Sequence, residues 1–310
     1  MLTRPEEQVV TEPRPSRGKG RRWAFVAIGA SVVIVAAAVL LYGRQAVSML
    51  THRKGAPTVT EPVAPFPPDA RPKLRIAVAG DVGEGEEEEW QTAYAMHMLE
   101  DGNPPYDALL LLGDNVYPTG DPARLDATVF HPFGILLENG SRLFAILGNH
   151  DVMGGQGLEQ MRDLGMPGPW WATTIDDVLL IGLDSNSLDD PDQRTFLEDT
   201  LRDADEPWRI VAIHESPYSS GYQGSNLTVR DAYAPLFAEY GVQVVLSGHD
   251  HDYQRSVPVD GVTYIVTGAG GRTRGTGESW FTAASWSVLS YVDLNVFDDH
   301  LLLRAIDQDG

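Results

Sequence analysis

The sequence predicts a mixed α/β sandwich in a single domain that begins at residue 73. Short apolar runs that end in polar or glycine-containing turns are typical of buried strands. Such runs are LRIAVAG (74–80), ALLLLG (108–113), LFAILG (143–148), VLLIGL (178–183), RIVAIH (209–214) and VQVVLSG (242–248). Helical patterns lie between several of them, at 86–100, 192–204 and 228–240. Strands that alternate with helices indicate sheets covered by helices.

The carboxyl-terminal part continues with further predicted strands at 262–270, 287–297 and 300–307. These runs follow one another closely, so we expect part of the sheet structure to be antiparallel. No internal repeat is visible in the sequence. The pattern therefore predicts one large domain and not an array of small ones.

The amino-terminal region predicts a membrane anchor. Residues 23–42 form a run of twenty residues without a charge, which is about the length that crosses a hydrocarbon core of roughly 30 Å as a helix. We place the anchor at 23–43. The alternative is a cleaved export signal, although such signals usually have a shorter apolar region and a small-residue cleavage site. A buried core helix fits less well, because the run is apolar on every face.

Basic residues beside the anchor predict its orientation. Six Lys or Arg residues precede it within 1–22, and three follow closely within 44–54. Because cytoplasmic flanks are the richer in basic residues, we expect 1–22 to be a basic cytoplasmic tail and the domain to lie outside the cytoplasm. Residues 44–72 are rich in proline and predict a semi-extended linker, with an arm packed on the domain as the alternative. Residues 73–310 form the predicted folded domain.

The charge of the chain is negative and unevenly distributed. The net charge is −21 overall, and residues 55–310 carry 41 acidic against 14 basic residues, a net charge of −27. Such a domain repels a nucleic-acid backbone, so we expect no nucleic-acid binding. The chain has no cysteine, which excludes disulfides and restricts metal ligands to His, Asp, Asn or Tyr.

Five of the predicted strands end at polar side chains. The clusters are Gly80-Asp81-Val82-Gly83, Gly113-Asp114-Asn115-Val116-Tyr117, Gly148-Asn149-His150-Asp151, His214 and Gly248-His249-Asp250-His251. Ligand sites in α/β sheets form beyond the carboxyl ends of strands, and these side chains are oxygen and nitrogen donors that cations bind. Taken singly, each cluster has a plain alternative, such as a turn or a helix cap. Together they predict a metal site.

In this order the motifs resemble those of the calcineurin-like metallophosphoesterases, which are GD, GD, GNH, H and GHxH. The resemblance is closer to the purple, or tartrate-resistant, acid phosphatases, which have G-D-x-G first and G-D-x-x-Y second. Gly83 and Tyr117 stand at the distinguishing positions of this sequence. The match runs from about Leu74 to Ala305. It implies a four-layer αββα sandwich of two mixed sheets, which agrees with the strand pattern.

The resemblance also implies a role for each residue. The implied ligands of a first metal are Asp81, Asp114, Tyr117 and His251, and those of a second metal are Asn149, His214 and His249, with Asp114 as the bridge. His150 is implied to stand beside the phosphate as a catalytic residue that does not bind metal. Phenolate ligation by Tyr117 favours Fe³⁺ at the first site, and Zn²⁺, Mn²⁺ or Fe²⁺ suits the second.

Such a centre implies hydrolysis of a small phosphorylated substrate. Two cations can clamp a phosphoryl group, and a hydroxide formed from water at the metals would attack phosphorus in line. Phosphate monoesters are the expected substrates. A phosphodiesterase of nucleotides or lipid headgroups is one alternative, and a catalytically dead binding or sensor ectodomain is another. The lipid bilayer, through 23–43, is the other expected partner, and no protein partner is indicated.

Three further features bear on the site. The segment after His214 lacks the second histidine of the mammalian-type acid phosphatases, so protonation of the leaving group depends more heavily on His150. The acidic run at 84–89 predicts a solvated helix start. The glycine-rich segment 268–271 lacks the Lys-Ser/Thr pair of a P-loop and predicts a loop after a strand, from which Arg272 or Arg274 could reach a substrate.

Overall fold

Twelve strands form the two sheets of the computed structural model, which describes residues 63–309. They are β1 (Leu74–Ala79), β2 (Ala108–Leu111), β3 (Arg142–Ala145), β4 (Trp171–Ile175), β5 (Val178–Leu183), β6 (Trp208–Ile213), β7 (Val244–Ser247), β8 (Tyr253–Ser256), β9 (Thr263–Thr267), β10 (Thr282–Trp286), β11 (Ser290–Val296) and β12 (Leu301–Asp307). Each predicted strand is confirmed. β4, β8 and β10 were not predicted.

Both sheets are mixed. The first has the order β12-β11-β1-β2-β3, in which β1, β2 and β3 are parallel and β11 and β12 are antiparallel. The second has the order β10-β8-β9-β7-β6-β5-β4, with the central strands β5, β6, β7 and β9 parallel. The parallel strands of both sheets carry the predicted clusters at their carboxyl ends.

Six α-helices lie in the described part of the chain. They are α1 (Glu87–Leu99), α2 (Gly134–Glu138), α3 (Asn149–Met153), α4 (Gly157–Asp163), α5 (Pro191–Arg202) and α6 (Leu227–Glu239). The predicted helices correspond to α1, α5 and α6. Helix α5 begins where Asp190 caps the backbone N–H of Asp192 ahead of Pro191, which is a favoured first helical residue. The short helices α2, α3 and α4 were not predicted.

Three apolar clusters define the layers. The central one joins the facing sides of the two sheets, with Ile76, Leu110, Leu180 and Ile265 among its members. A second cluster packs α1 on the outer side of the first sheet. A third packs α5 and α6 on the outer side of the second sheet. The layers are therefore helix, sheet, sheet and helix, so the predicted αββα sandwich is confirmed.

The first described residues pack on the domain. The backbone N–H of Phe66 donates to Asn103 Oδ1 at 3.0 Å, and the Phe66 ring lies 5.9 Å from that of Phe297. This part of the proline-rich segment is thus an arm on the domain, as in the alternative interpretation. The predicted tail (1–22) and anchor (23–43) lie outside the described residues. Between residues 63 and 309, no helix has the length and apolar character that crossing a bilayer requires.

Glu89 departs from the solvated helix start that the acidic run predicts. Glu86, Glu87 and Glu88 are exposed, but the Glu89 side chain is fully buried. Its Oε2 accepts a hydrogen bond from the backbone N–H of Gly85 at 2.7 Å, whereas Oε1 has no partner within 63–309. Burial raises the pKa of Glu89 to about 9, against the lowering effect of this hydrogen bond. The carboxyl therefore keeps its proton at neutral pH.

Replacing Glu89 with glutamine is expected to stabilise the domain at neutral pH. The carboxyl ionises near pKa 4.5 in the unfolded chain but near 9 in the folded domain. Between these values the unfolded state binds fewer protons, so the free energy of unfolding of the wild type falls by about 1.4 kcal/mol per pH unit as pH rises. Urea unfolding at about pH 5 and about pH 7.5 should show the variant gaining about 3 kcal/mol on the wild type. Equal pH dependence in both proteins would contradict this.

Candidate metal centre

The five predicted clusters meet at one edge of the sandwich. Because β1, β2 and β3 are parallel, their carboxyl ends carry Asp81, Asp114 and Asn149 to the same edge of the first sheet. In the second sheet, the parallel strands β6 and β7 lead to His214 and His249. A hydrogen bond joins the two edges, since the backbone N–H of His249 donates to Asp81 Oδ2 at 2.8 Å. Residues far apart in sequence thus form one cluster.

Asp81, Asp114 and His214 lie at the middle of this cluster. All three side chains are buried, and each offers one ligand atom within 4.8 Å of the others. The Tyr117 hydroxyl lies 3.2 Å from Asp81 Oδ1 and 3.0 Å from Asp114 Oδ2. His251 Nε2 lies 3.3 Å from Asp81 Oδ1 and 3.4 Å from the Tyr117 hydroxyl. The four side chains expected around the first metal therefore converge.

The side chains expected around the second metal surround His214. Its Nδ1 lies 2.7 Å from the carbonyl oxygen of Leu112, so Nδ1–H donates to that carbonyl and Nε2 faces the cluster. His214 Nε2 lies 3.2 Å from Asn149 Oδ1 and 3.6 Å from Asp114 Oδ2. The His249 ring lies 5.1 Å from the His214 ring. All seven residues expected as ligands thus lie together.

His150 lies beside the cluster and is partly exposed. Its backbone N–H donates to Asp114 Oδ1 at 2.8 Å, and its Nδ1 lies 2.8 Å from the carbonyl oxygen of Pro118. The His150 ring is 4.5 Å from the Tyr117 ring. These contacts fix the imidazole at the partly exposed rim of the cluster.

The backbone at three of these residues is strained. Asp81, Asp114 and His249 have φ angles of 58°, 51° and 69°. Residues other than glycine rarely adopt the left-handed backbone region. Those that do concentrate at functional sites, where surrounding contacts hold the backbone in this conformation. Here the enforcing contacts are the backbone hydrogen bonds that both carboxylates accept, from His249 and from His150.

Glycines leave the space that the carboxylates occupy. A Cβ at Gly148 would lie 2.1 Å from Asp114 Oδ1, and a Cβ at Gly248 would lie 2.5 Å from Asp81 Oδ2. Both distances are far shorter than any van der Waals contact. Only glycine therefore fits at 148, beside the Asp114 carboxylate, and at 248, beside the Asp81 carboxylate.

Replacing Gly148 with alanine is expected to weaken metal binding by at least about tenfold, because the new methyl group displaces Asp114. Gly134→Ala is the matched control, since a Cβ there meets nothing within 4 Å. Metal content after dialysis, measured by plasma mass spectrometry, compares the two variants with the wild type. Unchanged metal content in the Gly148 variant would contradict the geometry.

Buried charges shift the pKa values of the cluster. Burial raises the pKa of Asp81, but the hydrogen bond from His251 and the histidines around the carboxylate outweigh it and lower that pKa to about 2. Burial lowers the pKa of His214, but the charges of Asp114 and Asp81 outweigh it and raise that pKa to about 9. Burial and the same two carboxylates raise the pKa of Tyr117 well above its usual value. The carboxylates thus favour positive charge within the cluster.

The residues present fit bound metal ions. Carboxylate, amide, phenol and imidazole donors suit hard and borderline cations. A ligating histidine normally donates its other ring N–H to a carbonyl or carboxylate, as His214 does to Leu112. Asp114 faces both groups of side chains, with its Oδ2 near Tyr117 on one side and near His214 on the other.

Sequence reasoning missed the role of Asp151. Its carboxylate accepts five hydrogen bonds, from the backbone N–H groups of Gly148, Asn115 and Val116 and from the side chains of Asn115 and Gln160. Burial and the charge of Asp114 raise the pKa of Asp151 to about 6. Asp151 therefore joins the loop after β2 to the loop after β3. Its position directly after Asn149-His150 is the sequence feature that associates Asp151 with the metal-site motifs.

The two mixed sheets and the cluster at their edge define the metallophosphoesterase class of fold. Residues 74–253 match the family model described as calcineurin-like phosphoesterase. Rabbit (Oryctolagus cuniculus) tartrate-resistant acid phosphatase type 5 is 25% identical over 250 residues, which cover 68% of this chain and 77% of that protein.

Solved structures resemble the domain as well. A purple acid phosphatase from yellow lupin (Lupinus luteus) seeds matches with a TM-score of 0.66 and 19% identity, over 76% of this chain and 51% of that one. GAP50, the anchor in the inner membrane complex of Plasmodium, matches with a TM-score of 0.67 and 17% identity, over 77% and 85% of the two chains. These structures share the fold. The chain belongs to the calcineurin-like phosphoesterase family, and its acid phosphatase relatives support a hydrolase.

Proposed function

We propose that this chain hydrolyses phosphate monoesters with two metal ions. The observation that carries the proposal is the convergence of seven donor side chains, Asp114 among them, from motifs spread between Asp81 and His251. The proposed ligands are Asp81, Asp114, Tyr117 and His251 for the first ion, and Asp114, Asn149, His214 and His249 for the second. A structural role alone would not require so many buried polar groups in one place.

When bound, the two ions would neutralise charge on the phosphoryl group and make water acidic enough to supply the attacking hydroxide. The residues of the chain hold that arrangement. Asp114 has two carboxylate oxygens, so it can serve both ions, and the backbone N–H of His150 fixes one of them. His150 holds its ring through Pro118, and its free nitrogen can stabilise the phosphoryl oxygens or pass a proton to the leaving alkoxide.

The metal identities follow from the donors. We propose Fe³⁺ at the first site, because the pKa of the buried Tyr117 phenol is raised and a highly charged cation best favours its phenolate. A divalent ion such as Zn²⁺, Mn²⁺ or Fe²⁺ suits the second site, where histidine and asparagine predominate. The phosphoesterase family implies a phosphorylated substrate. We propose a small molecule and not a nucleic acid, because the strongly acidic domain repels a nucleic-acid backbone.

Metal analysis and hydrolysis of p-nitrophenyl phosphate against bis(p-nitrophenyl) phosphate test the function. Two metal ions per chain with faster turnover of the monoester are expected. Preference for the bis ester would favour the phosphodiesterase alternative, since one metal clamp serves both reactions. Metal binding without turnover of either ester would favour a catalytically dead binding or sensor ectodomain. The presence of all seven donor residues argues against that alternative.

We also propose that residues 23–43 anchor the chain and that the domain lies outside the cytoplasm, supported by the basic residues within 1–22. Protease added to intact cells should then digest the domain. Protection until the membrane is broken would contradict this topology. Release of soluble protein with a new amino terminus at about residues 43–60 would favour the cleaved export signal.

A further inference from the structure

The loop after β9 brings Arg272 to the first group of ligands. The loop packs on the end of β1, where the backbone N–H of Gly270 donates to the Gly80 carbonyl at 3.1 Å. Arg272 then extends over the cluster. Its Nε donates to His251 Nδ1 at 2.9 Å, and its guanidinium carbon lies 4.6 Å from the centre of the Tyr117 ring. Arg272 thus contacts two proposed ligands of the first metal at once.

The direction of the hydrogen bond to His251 is fixed by chemistry. A guanidinium group carries only donors, so His251 Nδ1 must be the acceptor. A neutral imidazole has one nitrogen lone pair, and in this arrangement Arg272 occupies it. The hydrogen of the ring is then on Nε2, which faces Asp81 Oδ1 at 3.3 Å. Nε2 is the atom that must offer a lone pair to bind a metal ion beside Asp81.

His214 shows the opposite arrangement. Its Nδ1–H donates to the Leu112 carbonyl, so Nε2 is the nitrogen that faces the cluster and no outer donor competes for it. This is the usual support of a metal-binding histidine. His251 therefore has an outer partner that opposes ligation through Nε2, whereas His214 has one that favours it.

The charge of Arg272 acts in the same direction. The guanidinium lies over the Tyr117 ring and donates to His251, and both of these side chains contact Asp81 Oδ1. The guanidinium charge offsets part of the negative charge that would otherwise attract a cation. Arg272 also forms an ion pair with Glu84, whose Oε1 lies 2.7 Å from Nη1. The Arg272 side chain is 39% exposed, so solvent adjoins the residue on one side and leaves it room to move.

We propose that Arg272 is a positioning residue that holds His251 in its non-ligating form and must release it when the first metal binds. The inference rests on the proposed function and adds a competition between one side chain and the metal. Arg272 thereby lowers the affinity of the first site, and pairing with Glu84 keeps the displaced guanidinium close by. Loss of a merely structural contact would weaken metal binding, so a gain in affinity on removing Arg272 distinguishes the two roles.

The test is a Co²⁺ titration of the metal-free full-length protein against a chelating dye. A His249→Ala background removes a proposed ligand of the second site, so the titration measures mainly the first. In this background Arg272→Met should tighten the apparent Kd by about tenfold, the scale typical of changes to the partners of metal ligands. Methionine keeps an unbranched side chain over the Tyr117 ring but has neither the charge nor the donor. Arg272→Ala is a second variant with the same expected direction.

Arg274→Met is the matched control, because Arg274 lies in the same loop with the same charge but stacks on Tyr222 at 5.2 Å. Its apparent Kd should equal that of the background. Unchanged or weaker binding in both folded Arg272 variants, verified by circular dichroism, would overturn the inference and leave the two-metal function standing. Failure of the wild-type protein to bind any metal would overturn both.

Discussion

Replacing Asp114 with alanine is expected to remove metal binding and hydrolysis together. Asp114 Oδ2 lies 3.0 Å from the Tyr117 hydroxyl and 3.6 Å from His214 Nε2, so one carboxylate faces both proposed sites. Its loss would take a ligand from each ion at once. We expect hydrolysis to fall by more than about a thousandfold, beyond the loss typical of one transition-state hydrogen bond. Phosphatase turnover and metal content per chain measure the two effects.

Two companion variants separate ligand loss from backbone strain. Asp114 has a φ of 51°, which alanine adopts at some cost. Asp114→Asn tolerates this conformation and keeps the side-chain shape, yet its neutral amide cannot bridge two cations, so it should lose activity as well. Asp176 has a φ of 49° in the exposed turn between β4 and β5, so Asp176→Ala carries similar strain and should keep activity and metal. Two ions per chain in the Asp114→Ala protein would contradict the bridging role.

Several of the strands that the sequence predicts are buried along their whole length. Every residue of β1, β2, β5 and β7 is buried, so each appears in the sequence as a continuous apolar run. The missed strands β4 and β10 lie at the two edges of the second sheet and are only partly buried. Their residues mix small, polar and aromatic side chains. An edge strand depends on its neighbour for pairing, and a single sequence does not show that neighbour.

The candidate site likewise contains residues that the sequence predicts and residues that only the fold reveals. Motifs at strand ends are local in sequence, so Asp81, Asp114 and His249 could be predicted from their glycines and apolar runs. The role of Asp151 could not, because it depends on hydrogen bonds from Asn115 and Gln160, whose proximity only the fold creates. The same holds for Arg272, which the sequence suggested as a substrate contact and which the structure brings to His251.

The large effect expected of Tyr117→Phe is on colour and not on turnover. With Fe³⁺ at the proposed first site, the Tyr117 phenolate should give a visible charge-transfer band and a purple or pink protein. Phenylalanine removes the hydroxyl that lies 3.2 Å from Asp81 Oδ1 but keeps the ring that packs 4.5 Å from His150. The band should disappear. Hydrolysis should fall by less than about tenfold, because charge neutralisation depends on the cations and the other ligands remain.

Absorption spectra of the iron-loaded wild type and of Tyr117→Phe, recorded with the iron content per chain, measure the charge-transfer band. Tyr94→Phe is the control, because Tyr94 is exposed on α1 and its loss should leave the band unchanged. The alternative is that Tyr117 only packs beside two divalent ions. Its pKa is raised by burial and by the carboxylates of Asp81 and Asp114, so without a highly charged cation the phenol would keep its proton and give no band. A colourless iron-loaded wild type, or a band that survives in Tyr117→Phe, would thus remove the ferric assignment while leaving the two-metal site.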